Sequence, residues 1–142
     1  MRAALFDSSV YISGIRRGDD AVAAQRRLPP DTLIWLSAVV LEELYAGATG
    51  KTREIVERLE HDFERTNRIL VPNLTDWTQT GRLLAQVADK YGYETIGRGR
   101  LTNDALIATN AARVGARVIT LNQRDFQRLA EFKTFRWETA VI

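Results

Sequence analysis

The sequence predicts an α/β fold: a three-layer α/β/α arrangement with a small, mostly parallel sheet and helices on both faces. Three observations carry this. Short apolar runs, AALF, TLIWL and RVIT, are flanked by breakers or polar residues, as strands buried on both faces are. The segments between them read as helices, so the order is strand, helices, strand, helices, strand. No repeat, low-complexity segment or linker divides the 142 residues, which predicts one domain over 1–142.

Taken in order, Ala3 to Phe6 is a short buried strand ending at Asp7, followed by a short helix or turn from Ser8 to about Ser13. Asp19 and Asp20 open a helix that runs to about Leu28, where Pro29 and Pro30 stop it. Thr32 to Leu36 is a buried parallel strand, and Ser37 is the N-cap of a helix ending near Gly47. Lys51 to Thr66 is a helix with Ile55, Leu59 and Phe63 on its apolar face. Ile69 to Val71 is a short strand closed by Pro72. The next helix starts at Thr75-Asp76 and buries Trp77, Leu84, Val87, Ala88 and Tyr91. Gly92 to Arg100 reads as a loop, and Thr102 or Asn103 caps a helix ending at Gly115. Arg117 to Thr120 is a strand, and Thr134 to Trp137 a weaker one.

Composition removes several chemistries. There is no cysteine, so there is no disulfide, thiolate metal site or thiol nucleophile, and His61 alone makes no imidazole cluster. A metal here would be held by carboxylates. The net charge of +2 permits nucleic-acid binding without indicating it. Arginine dominates the basic set, since only Lys51, Lys90 and Lys133 are lysines. That suits bidentate phosphate contacts and equally suits a GC-rich coding bias. No apolar run approaches the ~20 residues that span a bilayer. The N-terminus has an acid too early and an apolar run too short for a signal peptide, so a cytoplasmic protein with no membrane association is expected.

In open α/β sheets, sites form beyond the carboxyl ends of the strands. Asp7 ends the first strand there, Glu42 and Glu43 follow the second, and Asn122 and Asp125 follow RVIT. Asp104 lies in the first turn of the preceding helix and shares a face with Ile107, Ala108 and Ala111. Each acid has a plain structural reading: Asp7 as a helix cap, Asp104 as a carboxylate at the positive end of a helix dipole. Consecutive side chains diverge by ~100°, so only one of Glu42 and Glu43 is expected in a site. As a set, in a chain without cysteine, they predict an acidic site for Mg²⁺ or Mn²⁺.

FDSSVYI around Asp7, SAVVLEELYAG around Glu43, LTNDALIATNAARVGARVIT around Asp104 and LNQRDF around Asp125 resemble the PIN-domain ribonucleases, VapC-type toxins above all. The likeness covers nearly the whole chain. It implies Mg²⁺- or Mn²⁺-dependent cleavage of an RNA substrate, a cognate antitoxin and a homodimer. It places the acids on Asp7, Glu43, Asp104 and Asp125, with Asp7 and Asp104 holding metal. The E-L-x-x-G ending selects Glu43 over Glu42. Where many PIN domains carry another aspartate, this chain has Asn122, which by the resemblance counts against a second metal and leaves the Asp7–Asp104 pair intact; asparagine at this place is also familiar among VapC-type proteins. Thr120 and Asn122 are expected to position the site, and Arg16, Arg17, Arg98 and Arg100 to contact RNA phosphates. The antitoxin tail would lie across an apolar groove for which Trp35, Trp77, Trp137, Tyr11 and Tyr45 are candidates, core packing being their alternative role.

Two other classes fit less well. A phosphoacceptor receiver needs an aspartate after a middle strand and a late lysine, but TLIWLSAVV has no aspartate and Lys133 stands alone. A non-catalytic RNA- or protein-binding module on the same scaffold remains the alternative.

Overall fold

The computed structural model describes residues 2–18, 23–97 and 101–141. Among them the strands β1 (Ala3–Phe6), β2 (Leu33–Ser37), β3 (Ile69–Leu70), β4 (Arg117–Thr120) and β5 (Trp137–Thr139) form a five-stranded sheet in the order β3-β2-β1-β4-β5. Every pairing is parallel. The chain steps outward from β1 through β2 to β3, returns across the sheet to β4, and continues to β5. Between β1 and β4 the direction of winding reverses. Loops at such a point diverge and leave a crevice at the carboxyl ends of the strands.

Right-handed crossovers put the helices of the two directions on opposite faces. On one side α1 (Ser8–Arg16) packs on α2 (Ala38–Gly47), and α2 on α3 (Lys51–Arg65). On the other, α4 (Leu74–Tyr91) packs on α6 (Leu101–Val114), and α6 on α7 (Gln123–Ala130). The helical turn α5 (Glu94–Gly97) joins α4 to α6. The apolar strands supply the centre of the core, with Leu5, Leu36 and Val118 fully buried, and α6 buries Ala105, Ile107, Ala108 and Ala111 beside them. Gly115 ends α6 at φ 68°, and Ala116 N–H reaches back to Ala111 O at 2.9 Å, which turns the chain directly into β4.

Several expected boundaries move. The first helix runs to Arg16 rather than Ser13, because Asp7 caps it and its Val10 and Tyr11 are buried. Of the helix expected from Asp19 to Leu28, the described part is a 3-10 turn over Ala23–Arg27; residues 19–22 lie outside the described residues. β2 is shifted by one, since Leu33 N–H donates to Arg2 O and Ser37 both ends the strand and caps α2. Val56 replaces Ile55 on the buried face of α3. Thr102 and Asn103 lie inside the first turn of α6 rather than capping it. The stretch expected to be a loop contains α5, and Arg98 and Arg100 lie outside the described residues. β5 begins at Trp137, where it registers with Val118. α7 is a helix the periodicity did not announce. Trp77 is 54% exposed, because Asp76 and Thr80 hold the buried face of α4 instead.

Candidate active site

The site grows from the ends of the two central strands. The ladder between β1 and β4 continues one step past Phe6, with Asp7 N–H donating to Ile119 O at 3.1 Å. This sets the Asp7 side chain beside Thr120. Asp7 Oδ1 accepts from Ser9 N–H at 3.1 Å and from the Ser9 hydroxyl, which makes it the N-cap of α1. Its Oδ2 accepts from the Thr120 hydroxyl at 2.6 Å. The same two hydroxyls accept from the chain leaving β4: Leu121 N–H donates to Ser9 Oγ at 3.0 Å and Asn122 N–H to Thr120 Oγ1 at 2.8 Å. From Asn122 the network reaches two further acids. Its Nδ2 donates to Asp104 Oδ2 at 3.0 Å and to Asp125 Oδ2 at 2.9 Å.

Asp7, Asp104, Asp125, Thr120 and Asn122 are thus joined in one hydrogen-bonded network. Asp7 and Asp104 are buried; Asp125 and Asn122 are half-buried at the start of α7. Ser9 belongs to the network and was not singled out from the sequence. Its signal was local: a serine two residues after a capping aspartate can share the cap with the backbone. Burial pushes the Asp7 carboxyl above the ordinary aspartate range, and the hydrogen bonds from Ser9 and Thr120 pull against that rise.

Glu43 comes from α2 and is half-buried, with Oε1 shielded from solvent. Glu42 is exposed and accepts from Asn103 Nδ2 of α6 at 3.4 Å. Both line an open cavity of about 600 Å³ between α1, α2 and α3, with Asn103 at its edge. Ile12, Ile15, Leu44 and Val56 supply apolar wall and Arg16 a basic rim. Of the aromatic candidates for such a groove, none lines this cavity: Tyr11 is buried in the core, and Tyr45 hydrogen-bonds Glu60. Arg17 is exposed beyond the end of α1.

The PIN domain family model matches residues 4–132, from the second residue of β1 to just past α7. This chain belongs to the PIN domain family. No curated protein matches its sequence. Solved structures similar to this PIN domain include a DNA-bound VapBC from Salmonella typhimurium, at 24% identity and TM-score 0.70 over 98% of both chains. Another is VapBC-5 from Mycobacterium tuberculosis, a member of the VapBC family of toxin–antitoxin systems, at 24% identity and TM-score 0.61 over 100% of both chains. A third is FitAcB from Neisseria gonorrhoeae, at 26% identity and TM-score 0.59, covering 94% of this chain and 95% of that one.

PIN domains typically use divalent metals, and the donors in this one are all oxygen, which suits a hard cation. Among the described residues no three carboxylate or imidazole side chains converge as a metal cage. Mg²⁺ is ordinarily held by one or two carboxylates with the remaining positions filled by water. Asp7 fits that role: it is a buried carboxylate whose hydrogen bonds come from neutral donors.

Proposed function

We propose that this PIN domain is the toxin of a toxin–antitoxin pair, a VapC-type endoribonuclease that requires Mg²⁺ or Mn²⁺. The observation that carries the reading is the network in which Asn122 and Thr120 tie Asp7, Asp104 and Asp125 together at the winding reversal of the sheet. The similarity to VapBC structures supports it.

Asp7 and Asp104 are the residues that would hold the cation, directly or through water. When bound, the ion lowers the pKa of a coordinated water and offsets charge building on the phosphodiester. Asp125, held by Asn122, and Glu43 orient the attacking water and take its proton. The water oxygen joins phosphorus, the ester bond on the leaving side breaks, and the leaving oxygen takes up a proton. Thr120 fixes Asp7 so that its orientation is set before substrate arrives. Arg16 and Arg17, with Arg98 and Arg100, are the proposed phosphate contacts.

The partner is a cognate antitoxin, whose apolar tail segment occupies the groove between α1, α2 and α3. A basic side chain on that tail would reach Glu42 and Glu43 at the groove wall. The toxin itself acts in the cytoplasm as a homodimer.

The test is cleavage of a mixed RNA pool and of matched DNA by the purified chain, with Mg²⁺, with Mn²⁺ and with EDTA. RNA cut only with metal, and spared by Asp104→Asn, is the expected result. RNA bound but uncut under every condition would establish the non-catalytic module instead.

A further inference from the structure

One residue touches the hydrogen bonding of all three network carboxylates. The two side-chain N–H groups of Asn122 go to different elements, one to Asp104 of α6 at 3.0 Å and one to Asp125 of α7 at 2.9 Å. Its backbone N–H goes to Thr120 Oγ1 at 2.8 Å, and that hydroxyl donates to Asp7 Oδ2 at 2.6 Å. Asp104 and Asp125 therefore face each other across an amide nitrogen.

Two anions brought together need something positive between them. A divalent cation does this by bringing an oxygen of each carboxylate within about 2.1 Å. An amide does it with two N–H dipoles and no net charge. An ion bound to those same two oxygens would meet both N–H groups of the amide. We propose that Asn122 restricts the site to one divalent cation, its side-chain amide standing where a second ion would bridge Asp104 and Asp125. The inference rests on the metal-site reading given above.

Asparagine and aspartate have nearly the same shape, so one exchange isolates the chemistry. Asn122→Asp replaces the two donors by an acceptor and sets a carboxylate against Asp104 and Asp125. Repulsion then lowers the stability of the metal-free protein, and a second cation becomes the means of relieving it. Asn122→Ala clears the amide without adding an oxygen, so it separates removal of the block from the gain of a ligand.

The experiment is a calorimetric titration of the metal-stripped full chain with Mn²⁺, with bound Mn²⁺ counted by electron paramagnetic resonance. The expected result is one ion per chain for the parent, two for Asn122→Asp, and a second, more weakly held ion for Asn122→Ala. The melting temperature of Asn122→Asp should fall below the parent's in EDTA and rise more steeply with Mn²⁺. Two ions on the parent overturn the proposal, and that titration decides it even if the aspartate variant does not fold. One ion on a folded Asn122→Asp with the parent's response to Mn²⁺ also overturns it. No Mn²⁺ on parent and variants alike would overturn the metal-site reading beneath it, a different failure from a wrong count.

Discussion

Asp7 and Asp76 are 2% and 1% exposed, and both serve the N-terminus of a helix, yet the chain treats their charges in opposite ways. At the corner of β3, α4 and α6, Asp76 completes a capping box with Asn73 and faces Arg113, whose Nε lies 2.9 and 3.1 Å from its two oxygens. Arg113 also donates to Val71 O at 3.0 Å, so the guanidinium is itself held in place. At the carboxyl end of β1, Asp7 accepts from two hydroxyls and a backbone N–H, all neutral. A buried carboxylate is costly unless paired. The corner supplies its own cation and is complete. The strand end meets Asp7 with the dipoles of neutral groups instead.

Exchanging either aspartate for asparagine breaks the comparison in a different place. On the proposed function, Asp7→Asn should reduce RNA cleavage by about 100-fold or more, since a carboxylate holding the cation would act on the transition state itself. Initial rates at saturating Mg²⁺ measure this. Asp76→Asn should leave the cleavage rate of the folded fraction unchanged and lower stability by about 2 kcal/mol, because it strands a guanidinium whose partner was buried. Urea unfolding in EDTA measures that. If Asp76→Asn lost activity without losing stability, the two aspartates would not differ as argued.

The same contrast explains what was legible in the sequence. β1, β4, the Ser37 cap and the convergence of Asp7, Asp104 and Asp125 follow from short-range signals: apolar runs, capping residues and acids at strand ends. The corner did not show itself. Asp76 pairs with a residue 37 positions away, and this pair turns Trp77 outward where aromatic size predicts burial. α7 has two buried apolar residues, Phe126 and Leu129, too few to declare a period. The apolar face used to single out Asp104 was weaker than it looked. Residues 104–111 of α6 are all buried, so the helix has no solvent face there against which a phase can be read. Ser9 and the double donation by Asn122 needed the register of β1 on β4.

A smaller effect sharpens the account of Asp7. Burial raises its carboxyl above the ordinary 3.8, so the charged form is disfavoured in the fold. In the absence of metal this costs stability as pH rises through the carboxylate range, and the cost is fully present at neutral pH. Asp7→Asn removes the ionisation and keeps an oxygen for the Ser9 cap. In EDTA at pH 7 its melting temperature should therefore lie above the parent's, with the advantage fading as pH falls towards 3.8. Excess Mn²⁺ should reverse the order, since only the parent gains a ligand for its native state. A parent more stable than Asp7→Asn in EDTA at pH 7 would mean that the neutral donors already satisfy the charge.

The smallest effect concerns a buried polar group that belongs to neither region. Asn110 lies six residues after Asp104 on α6, is fully buried, and neither atom of its amide has a hydrogen-bond partner among the described residues. Burial of a polar group is shared by all three residues, so burial alone cannot mark a site. What marks the strand end is a set of acids linked through common donors, and Asn110 is outside that set. An unsatisfied buried amide costs about 1–3 kcal/mol, and alanine is the better helix former. Against these stands the small space left by the shorter side chain. Asn110→Ala should therefore stabilise the protein by about 1 kcal/mol in urea unfolding, with the Mn²⁺ count and the cleavage rate unchanged. A loss of metal binding in Asn110→Ala would extend the functional network into the middle of α6, and the distinction drawn here between partnered acids and stray buried polarity would fail.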